Sequence, residues 1–280
     1  MSGDEPQRRI RLCADDYGLS PGVNRAIRGL IERERINATS VMVVGPAAGR
    51  DEVEALKAAV ARNPRCVIGL HATLTAPFHP LTLHYRPLEG GLFMPLAKML
   101  RASLLRRLDV EMIHDEVKAQ IAAFAERFGR APDYVDGHQH VQIFPQVRDA
   151  FLSAVKNAAP GAWVRQCGRR QPSAQRFGTP KALLLDILSA GFRRRAARAG
   201  IAFNPGFAGA YDFTRSDFAA LMQTFLDGSP DGGLIMCHPG FVDDTLVALD
   251  PLTDQREREY AFLAGDGFRD MLAANRVTLG

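Results

Sequence analysis

The sequence predicts an α/β protein: an irregular, TIM-barrel-like (β/α) barrel of parallel strands, with the active site at their C-terminal ends. Three observations carry that expectation. Short apolar or β-branched runs alternate with longer segments of helical period along the whole chain, and parallel neighbours need crossover helices of that kind. The 280 residues suffice for one barrel. The rival architecture, an open dinucleotide-binding sheet, calls for G-x-G-x-x-G after its first strand, where this chain has Asp15-Asp16-Tyr17-Gly18.

The first strand is RIRLCA (9–14), ending at the two aspartates. Ser20-Pro21 reads as an N-cap followed by proline at the first helical position, opening a helix to about Arg35. ATSVMVVG (38–45) is the second strand, DEVEALKAAVAR (51–62) the next helix and CVIGLHATL (66–74) the third strand. Residues 75–95, rich in Pro, Gly and His, begin an excursion lasting to about 108; long loops inside compact domains are usually functional or disordered. A helix over 109–128 leads to the strand DYVDGHQH (133–140), and Pro145 opens another helix. AWVRQC (162–167) is a strand, 181–199 a helix, IAFNPGF (201–207) a strand and 214–227 a helix. GLIMCHPGF (233–241) is a strand ending in a turn, and RVTLG supplies a last strand. These elements are read as one catalytic domain over 1–280.

Composition narrows the function. Hydrophobic residues at 46% and charged residues at 24% are ordinary for a soluble globular chain. The net charge of +4 is small and sits mostly in Arg-rich stretches around 101–107, 169–176 and 193–198. No aromatic residues are interleaved there as single-strand binders require, so nucleic acid is not an expected partner. Cys13, Cys66, Cys167 and Cys237 lie in or beside apolar runs without C-x-x-C pairing and are expected as buried thiols. The N-terminus lacks the apolar core of a signal peptide and no apolar run reaches membrane-spanning length, so the expected location is cytoplasmic.

Polar residues punctuate the strand ends: Asp15-Asp16 after the first, His71 at the third, Asp136, His138 and His140 after the fourth, Arg165 late in the next, and His238 after LIMC. Parallel α/β folds gather these ends on one face. Two carboxylates at a strand end can border one pocket, one binding a metal and the other acting as a base; the ordinary alternative is a helix cap, a place Ser20 already fills better. His71 alone would read as a structural histidine. His138 and His140 at alternate positions change that, since both side chains of an extended segment face the same way. Two imidazoles together are costly to bury without a metal or acid partner. One Asp and two His from three strands make a divalent-metal site with open positions, the catalytic kind. His238 has an intrinsic pKa near neutrality and suits protonation of a leaving amine; its alternative is a histidine hydrogen-bonded in a Pro-Gly turn. His79, His84 and His114 fall outside this grouping.

ADDYGLSPGVN, GLHATLT, DGHQHVQIFP and MCHPGF, in this order, resemble the YdjC-like carbohydrate deacetylases, which include chitooligosaccharide deacetylases and deacetylases of hopanoid biosynthesis. The resemblance runs from about residue 9 to 245. It implies metal-dependent removal of an acetyl group from an N-acetylated sugar or glycolipid, with Asp16, His71 and His138 as metal ligands. Asp15 would be the catalytic base, His238 the acid, and His140 a neighbour of the ligands or of the substrate. Apart from the resemblance, Arg165 could orient Asp15 by a charge-assisted hydrogen bond, the alternative being a surface or structural arginine. Mixed His and carboxylate ligation suits Zn first, then Co, Mn or Fe, with Mg still open. Gln142 stands where the family often has a third alternating histidine, a departure that bears on the substrate pocket, and Tyr17 replaces the commoner Phe.

Two stretches bear on partners. LAKMLRASLLRRL (96–108) sets an apolar stripe at 96, 100, 104 and 108 beside basic residues, and 181–199 joins a Leu/Ile face to an arginine cluster. Such helices can dock on an anionic membrane surface, at the inner face for a cytoplasmic protein, which a glycolipid substrate would favour. They can equally be core-packing helices with solvated arginines. Other readings remain open: a different metal hydrolase, a metal-free glycosidase with two carboxylates, a ferrous oxygenase, and a non-catalytic carbohydrate-binding protein. The last has no need of both Asp15 and His238.

Overall fold

In chain order the strands are β1 (Arg8–Tyr17), β2 (Ala38–Val41), β3 (Val67–Ala72), β4 (Leu88–Glu89), β5 (Leu92–Phe93), β6 (Tyr134–Gly137), β7 (Trp163–Val164), β8 (Phe207–Ala208), β9 (Leu234–Cys237) and β10 (Val277–Leu279). The helices are α1 (Pro21–Glu32), α2 (Arg50–Arg62), α3 (Leu96–Leu104), α4 (Val110–Phe128), α5 (Val147–Ala158), α6 (Pro180–Ala199), α7 (Phe218–Asp227), α8 (Asp244–Leu249), α9 (Asp254–Ala264) and α10 (Asp266–Ala274). This is a computed structural model, and it describes residues 7–169, 180–213 and 217–280. Residues 1–6, the arginines of 170–176 and the 214–216 end of an expected helix lie outside the described residues.

The main sheet runs β7-β6-β3-β2-β1-β9-β8 with every pair parallel, and β10 adds to the beginning of β1. A parallel bridge from Val164 to Phe203 draws β7 toward the segment before β8. The sheet thus curls into an irregular (β/α) barrel, incompletely closed. Contacts between strands that are not neighbours define its interior. Cys13 Sγ of β1 lies 2.9 Å from the Tyr134 hydroxyl of β6, although β2 and β3 separate those strands. Tyr134 stacks on Trp163 at 4.4 Å, and Arg11 lies over the same indole at 5.2 Å. Residues 11, 13 and 15 of β1 therefore share the inner face, as period-two alternation requires. Gly69 of β3 makes room for this layer: a Cβ there would sit 2.4 Å from the Tyr134 ring.

Local chemistry explains most elements. Ser20 Oγ accepts from Val23 N at 3.2 Å, and Pro21 starts α1, which buries Val23, Ile27, Leu30 and Ile31. The expected strand over 201–207 shrinks to Phe207–Ala208 because Pro205 lacks a donor and the Asn204 side chain pairs with the Gln166 backbone instead. The excursion contains the antiparallel β4–β5 hairpin and α3. Glu116 on α4 pins it, accepting from Leu81 N, Thr82 N and Thr82 Oγ1. The apolar stripe expected on 96–108 does not form as drawn: α3 stops at Leu104, which is 54% exposed, and Met99 and Ser103 face inward. On α6 the stripe Leu185, Leu188, Phe192 and Ala196 is buried, while Leu183, Leu184 and Ile187 are exposed. All four cysteines are free and buried. Among the described residues no helix is long and apolar enough to cross a membrane.

Candidate metal centre and active site

Asp15 and Asp16 reach one pocket because β1 bulges between them and β2. Ala14 pairs with Thr39 and Tyr17 with Val41, so β1 uses three residues where β2 uses two, and Asp16 takes φ 70°. Without that bulge consecutive side chains would face opposite sides. Strand β1 therefore continues through both aspartates rather than ending before them, as the sequence suggested.

Each aspartate has its own arginine. Arg165, fully buried just past β7, donates Nη1 to Asp15 Oδ1 at 2.7 Å and Nη2 to Oδ2 at 2.8 Å. Burial alone would raise the Asp15 pKa, but the Arg165 charge, with His71, outweighs it and holds the carboxyl below its usual range. Asp16 is likewise held low against burial, by Arg256 and the two histidines.

The histidines converge on one oxygen. His71 Nδ1 is 2.6 Å from Asp136 Oδ1 and 3.1 Å from Ser40 Oγ, which leaves Nε2 directed at Asp16 Oδ1, 3.3 Å away. His138 Nδ1 is 3.1 Å from that same oxygen. The ligand atoms of Asp16, His71 and His138 all lie within 4.8 Å of one another, and all three residues are buried. Burial would lower the His71 pKa, but Asp136 and Asp15 overcome it and push it to about 10. In this form the imidazole carries a proton that a cation can replace, so the donor set fits a divalent metal. Asp136 behind His71 is the outer carboxylate that metal-ligating histidines commonly have. A second group, Cys13, Asp15 and Asp136, is equally close. There the Arg165 guanidinium already supplies the cation, 2.7 Å from Asp15 and 3.2 Å from Asp136. Burial and Asp15 also raise the Cys13 thiol, which disfavours the thiolate a metal would need.

His138 and His140 do not alternate along a strand. β6 ends at Gly137 and the chain enters a 3-10 turn over His138–Ile143, in which Gln139 and His140 both take positive φ. His138 is left on Asp16, while His140 turns to Cys167 Sγ at 3.5 Å and to the Phe207 ring. Burial, then Arg165, holds His140 neutral. Gln142, in the same turn, donates to Arg165 O and Cys167 Sγ and so ties the turn to the segment after β7.

His238 sits past β9 with its backbone N–H on Glu259 Oε2 at 2.6 Å. Its Nδ1 is buried without a hydrogen-bond partner among the described residues. Burial pushes its pKa down to about 4, only partly countered by Asp16 and Asp15. The near-neutral titration expected from its intrinsic value is therefore corrected: His238 is neutral at pH 7. Three phenylalanines stand edge-on to three histidines: Phe78 to His138 at 5.8 Å, Phe207 to His140 at 5.4 Å and Phe213 to His238 at 5.5 Å. They sheathe the polar groups in hydrocarbon.

The structure thus brings together an Asp16–His71–His138 cluster and an Asp15–Arg165 pair, joined through Ser40 and Asp136, with His238 and His140 at the margins. Sequence reasoning gave no role to Asp136, although it opens the D-G-H run, and passed over Ser40, Phe78, Arg256 and Glu259. The last two lie in helix α9, whose charged sequence DQREREYAFLA looks like a solvated face.

The family described as YdjC-like protein matches residues 9–274. A chitooligosaccharide deacetylase of Serratia marcescens is 30% identical over 246 residues, covering 86% of this chain and 85% of that protein. A human carbohydrate deacetylase is 33% identical over 157 residues, 54% of this chain and only 46% of the human protein. In fold, the chain superposes on a crystal structure from Enterococcus faecalis V583, named as a candidate cellobiose-phosphate cleavage protein, with TM-score 0.71 and 20% identity over 98% of this chain and 97% of that one.

Proposed function

Because the chain belongs to the YdjC-like protein family, we propose that it is a metal-dependent carbohydrate N-deacetylase. It hydrolyses the acetamide of an N-acetylglucosamine oligosaccharide or of a glycolipid, releasing acetate and a free amine. The observation that carries the reading is the convergence of His71 Nε2 and His138 Nδ1 on Asp16 Oδ1, beside an Asp15 held ionised by Arg165. The names of the Serratia and human relatives supply the substrate class.

Asp16, His71 and His138 hold the metal. Zn is the first candidate, with Co, Mn and Mg as alternatives. Such an ion supplies Lewis-acid polarisation of a carbonyl and makes water acidic enough to attack near neutral pH. Asp15 takes the proton that water loses. Arg165 makes it a weak base at rest, but one that is always ionised and fixed in direction by two hydrogen bonds. His238 delivers a proton to the departing nitrogen. As it is neutral at rest, it passes to that nitrogen the proton that Asp15 took from water, so the C–N bond breaks with one water hydrogen on the amine and the hydroxyl on the acetyl carbon. His140 and Phe207 border the substrate, and the phenylalanine sheath excludes bulk water, which strengthens each polar contact inside. The exposed Leu183, Leu184 and Ile187 on α6 favour the glycolipid version, with peripheral contact to an anionic membrane.

The test is acetate release from N-acetylglucosamine oligomers and from an N-acetylglucosaminyl lipid, by metal-loaded protein with and without chelator. Chelator-sensitive acetate is the expected result, and the preferred substrate separates the two versions. No acetate from any acetylated sugar, with metal bound, would sink the reading.

A further inference from the structure

Asp16 has two carboxylate oxygens, and the structure uses them differently. Oδ1 faces His71 Nε2 and His138 Nδ1. Oδ2 is 2.7 Å from Arg256 Nη2, which reaches in from α9, 240 residues along the chain. We propose that Arg256 is a positioning residue that restricts Asp16 to metal ligation through Oδ1 alone, leaving a coordination position open for reactants. The inference rests on the metal-site reading above and deepens it.

The arginine is itself held on several sides. Its Nη2 also donates to Asp250 Oδ2 at 2.7 Å, and its Nε to Leu252 O at 3.0 Å. Its side chain is fully buried. The aliphatic stem lies on Gly240 of the His-Pro-Gly turn, where a Cβ would come within 3.2 Å of Arg256 Cδ. Gly240 N donates to Arg256 O at 3.2 Å. The turn that carries His238 and the guanidinium that restrains Asp16 are thus packed as one unit. A guanidinium so anchored cannot follow Asp16 if the carboxylate rotates, so rotation would break a charge-assisted hydrogen bond inside the protein, where such a loss is costly. A carboxylate free of this restraint can offer both oxygens, as it does to larger, hard cations. The restraint accordingly favours small ions that accept mixed nitrogen and oxygen donors.

An ion pair that served only the fold would leave the metal indifferent to Arg256, and that separates the two roles. The 280-residue chain is stripped with chelator and titrated with Co²⁺ and with Mn²⁺, for the wild type, Arg256→Gln and Asp250→Asn. The visible Co²⁺ spectrum, the affinities and a thermal melt are recorded. In Arg256→Gln the Co²⁺ absorption is expected to weaken as Oδ2 joins the ligands, and the preference for Mn²⁺ over Co²⁺ to rise about tenfold. Asp250→Asn, which loosens the arginine from a residue whose side chain is 19% exposed, should move both readouts the same way by less. It decides the matter if Arg256→Gln fails to fold. Unchanged spectra and unchanged Mn²⁺/Co²⁺ ratios in folded variants would overturn the proposal. Wild-type protein that takes up no Co²⁺ would overturn the metal reading and this one together. Wild-type protein that binds Co²⁺ yet releases no acetate would overturn the deacetylase reading alone.

Discussion

At the scale of single residues, adjacent aspartates acquire different roles from partners far away in sequence. Asp15 is paired with Arg165 and Asp16 with Arg256 and two histidines. Replacing Asp15 by Asn should leave metal binding within a few-fold of wild type but cut kcat by a factor of about 10²–10⁴, the usual worth of a positioned base. Metal content by mass spectrometry and acetate release check both halves, and loss of metal would mean that the two aspartates have been assigned in reverse. His71, with Asp136 on one nitrogen and Asp16 near the other, holds its proton to about pH 10 in the metal-free protein. Metal must expel that proton, so apparent Co²⁺ affinity should tighten by up to about tenfold per pH unit between roughly 6.5 and 9. Calorimetric titrations across that range would show it, and a flat profile would exclude a protonated His71. The residue types for this chemistry were legible in ADDYG, GLHAT and DGHQH. Their private counter-ions were not, because no local spacing links residue 16 to residue 256.

Elements decide which side chains face the pocket. The bulge near the end of β1 turns Asp16 inward beside Asp15, and the early end of β6 at Gly137 sends His138 and His140 in different directions. Hydrophobic patterning shows neither event: both depend on positive backbone φ at non-glycine residues, Asp16, Gln139 and His140, which their neighbours in the fold must enforce. Long periodic elements were read well, since α1, α2 and α4 have good caps or buried faces. The two-residue strands β7 and β8 were overdrawn, because apolar runs near Pro205 and Asn204 look extended whether or not they pair. Gly69 offers a test at this scale. A Cβ there would sit 2.4–2.6 Å from three atoms of the Tyr134 ring, so Gly69→Ala should destabilise the protein by about 3 kcal/mol or more in urea unfolding. A loss below about 1 kcal/mol would mean that the Tyr134–Trp163 stack can shift.

Across the whole molecule, a helix near the C-terminus reaches back to the site built by the earlier strands. Helix α9 supplies Arg256 to Asp16 and Glu259 to the His238 backbone. Burial raises the Glu259 pKa to about 7, despite the hydrogen bond from Tyr211 and the His238 N–H. The folded chain therefore binds this proton more tightly than the unfolded one, whose carboxyl titrates near 4.5. The resulting stability is complete below about pH 4.5 and is lost as pH rises through about 7, by at most about 3 kcal/mol. Glu259→Gln should not show that loss, so its unfolding free energy should gain on the wild type between pH 4.5 and 7, whereas a pH-independent difference would refute the shift. Metal should also stabilise the entire fold. At a free concentration a hundred times its Kd, binding to the folded state alone adds about 2.7 kcal/mol, read as a chelator-reversible rise in Tm that Asp16→Asn abolishes.

The alternation of short apolar runs with helical segments was enough to predict parallel strands, because such strands cannot be joined without crossovers and each crossover leaves a periodic trace in the chain; the choice of a barrel over an open sheet needed the missing G-x-G-x-x-G as well. The position of polar residues at strand ends predicted that Asp15, Asp16, His71, Asp136, His138, His140, Arg165 and His238 would gather on one face, and the motif resemblance singled out Asp16, His71 and His138 among them. The sequence of strands across the sheet, the bulge at Asp16, the turn that separates His138 from His140 and the arginine assigned to each aspartate were decided only by tertiary structure. Those features arise where distant segments come into contact in a buried, poorly screened interior. There a charge must find a counter-ion wherever the fold brings one near, and no local pattern of residues records which one that will be.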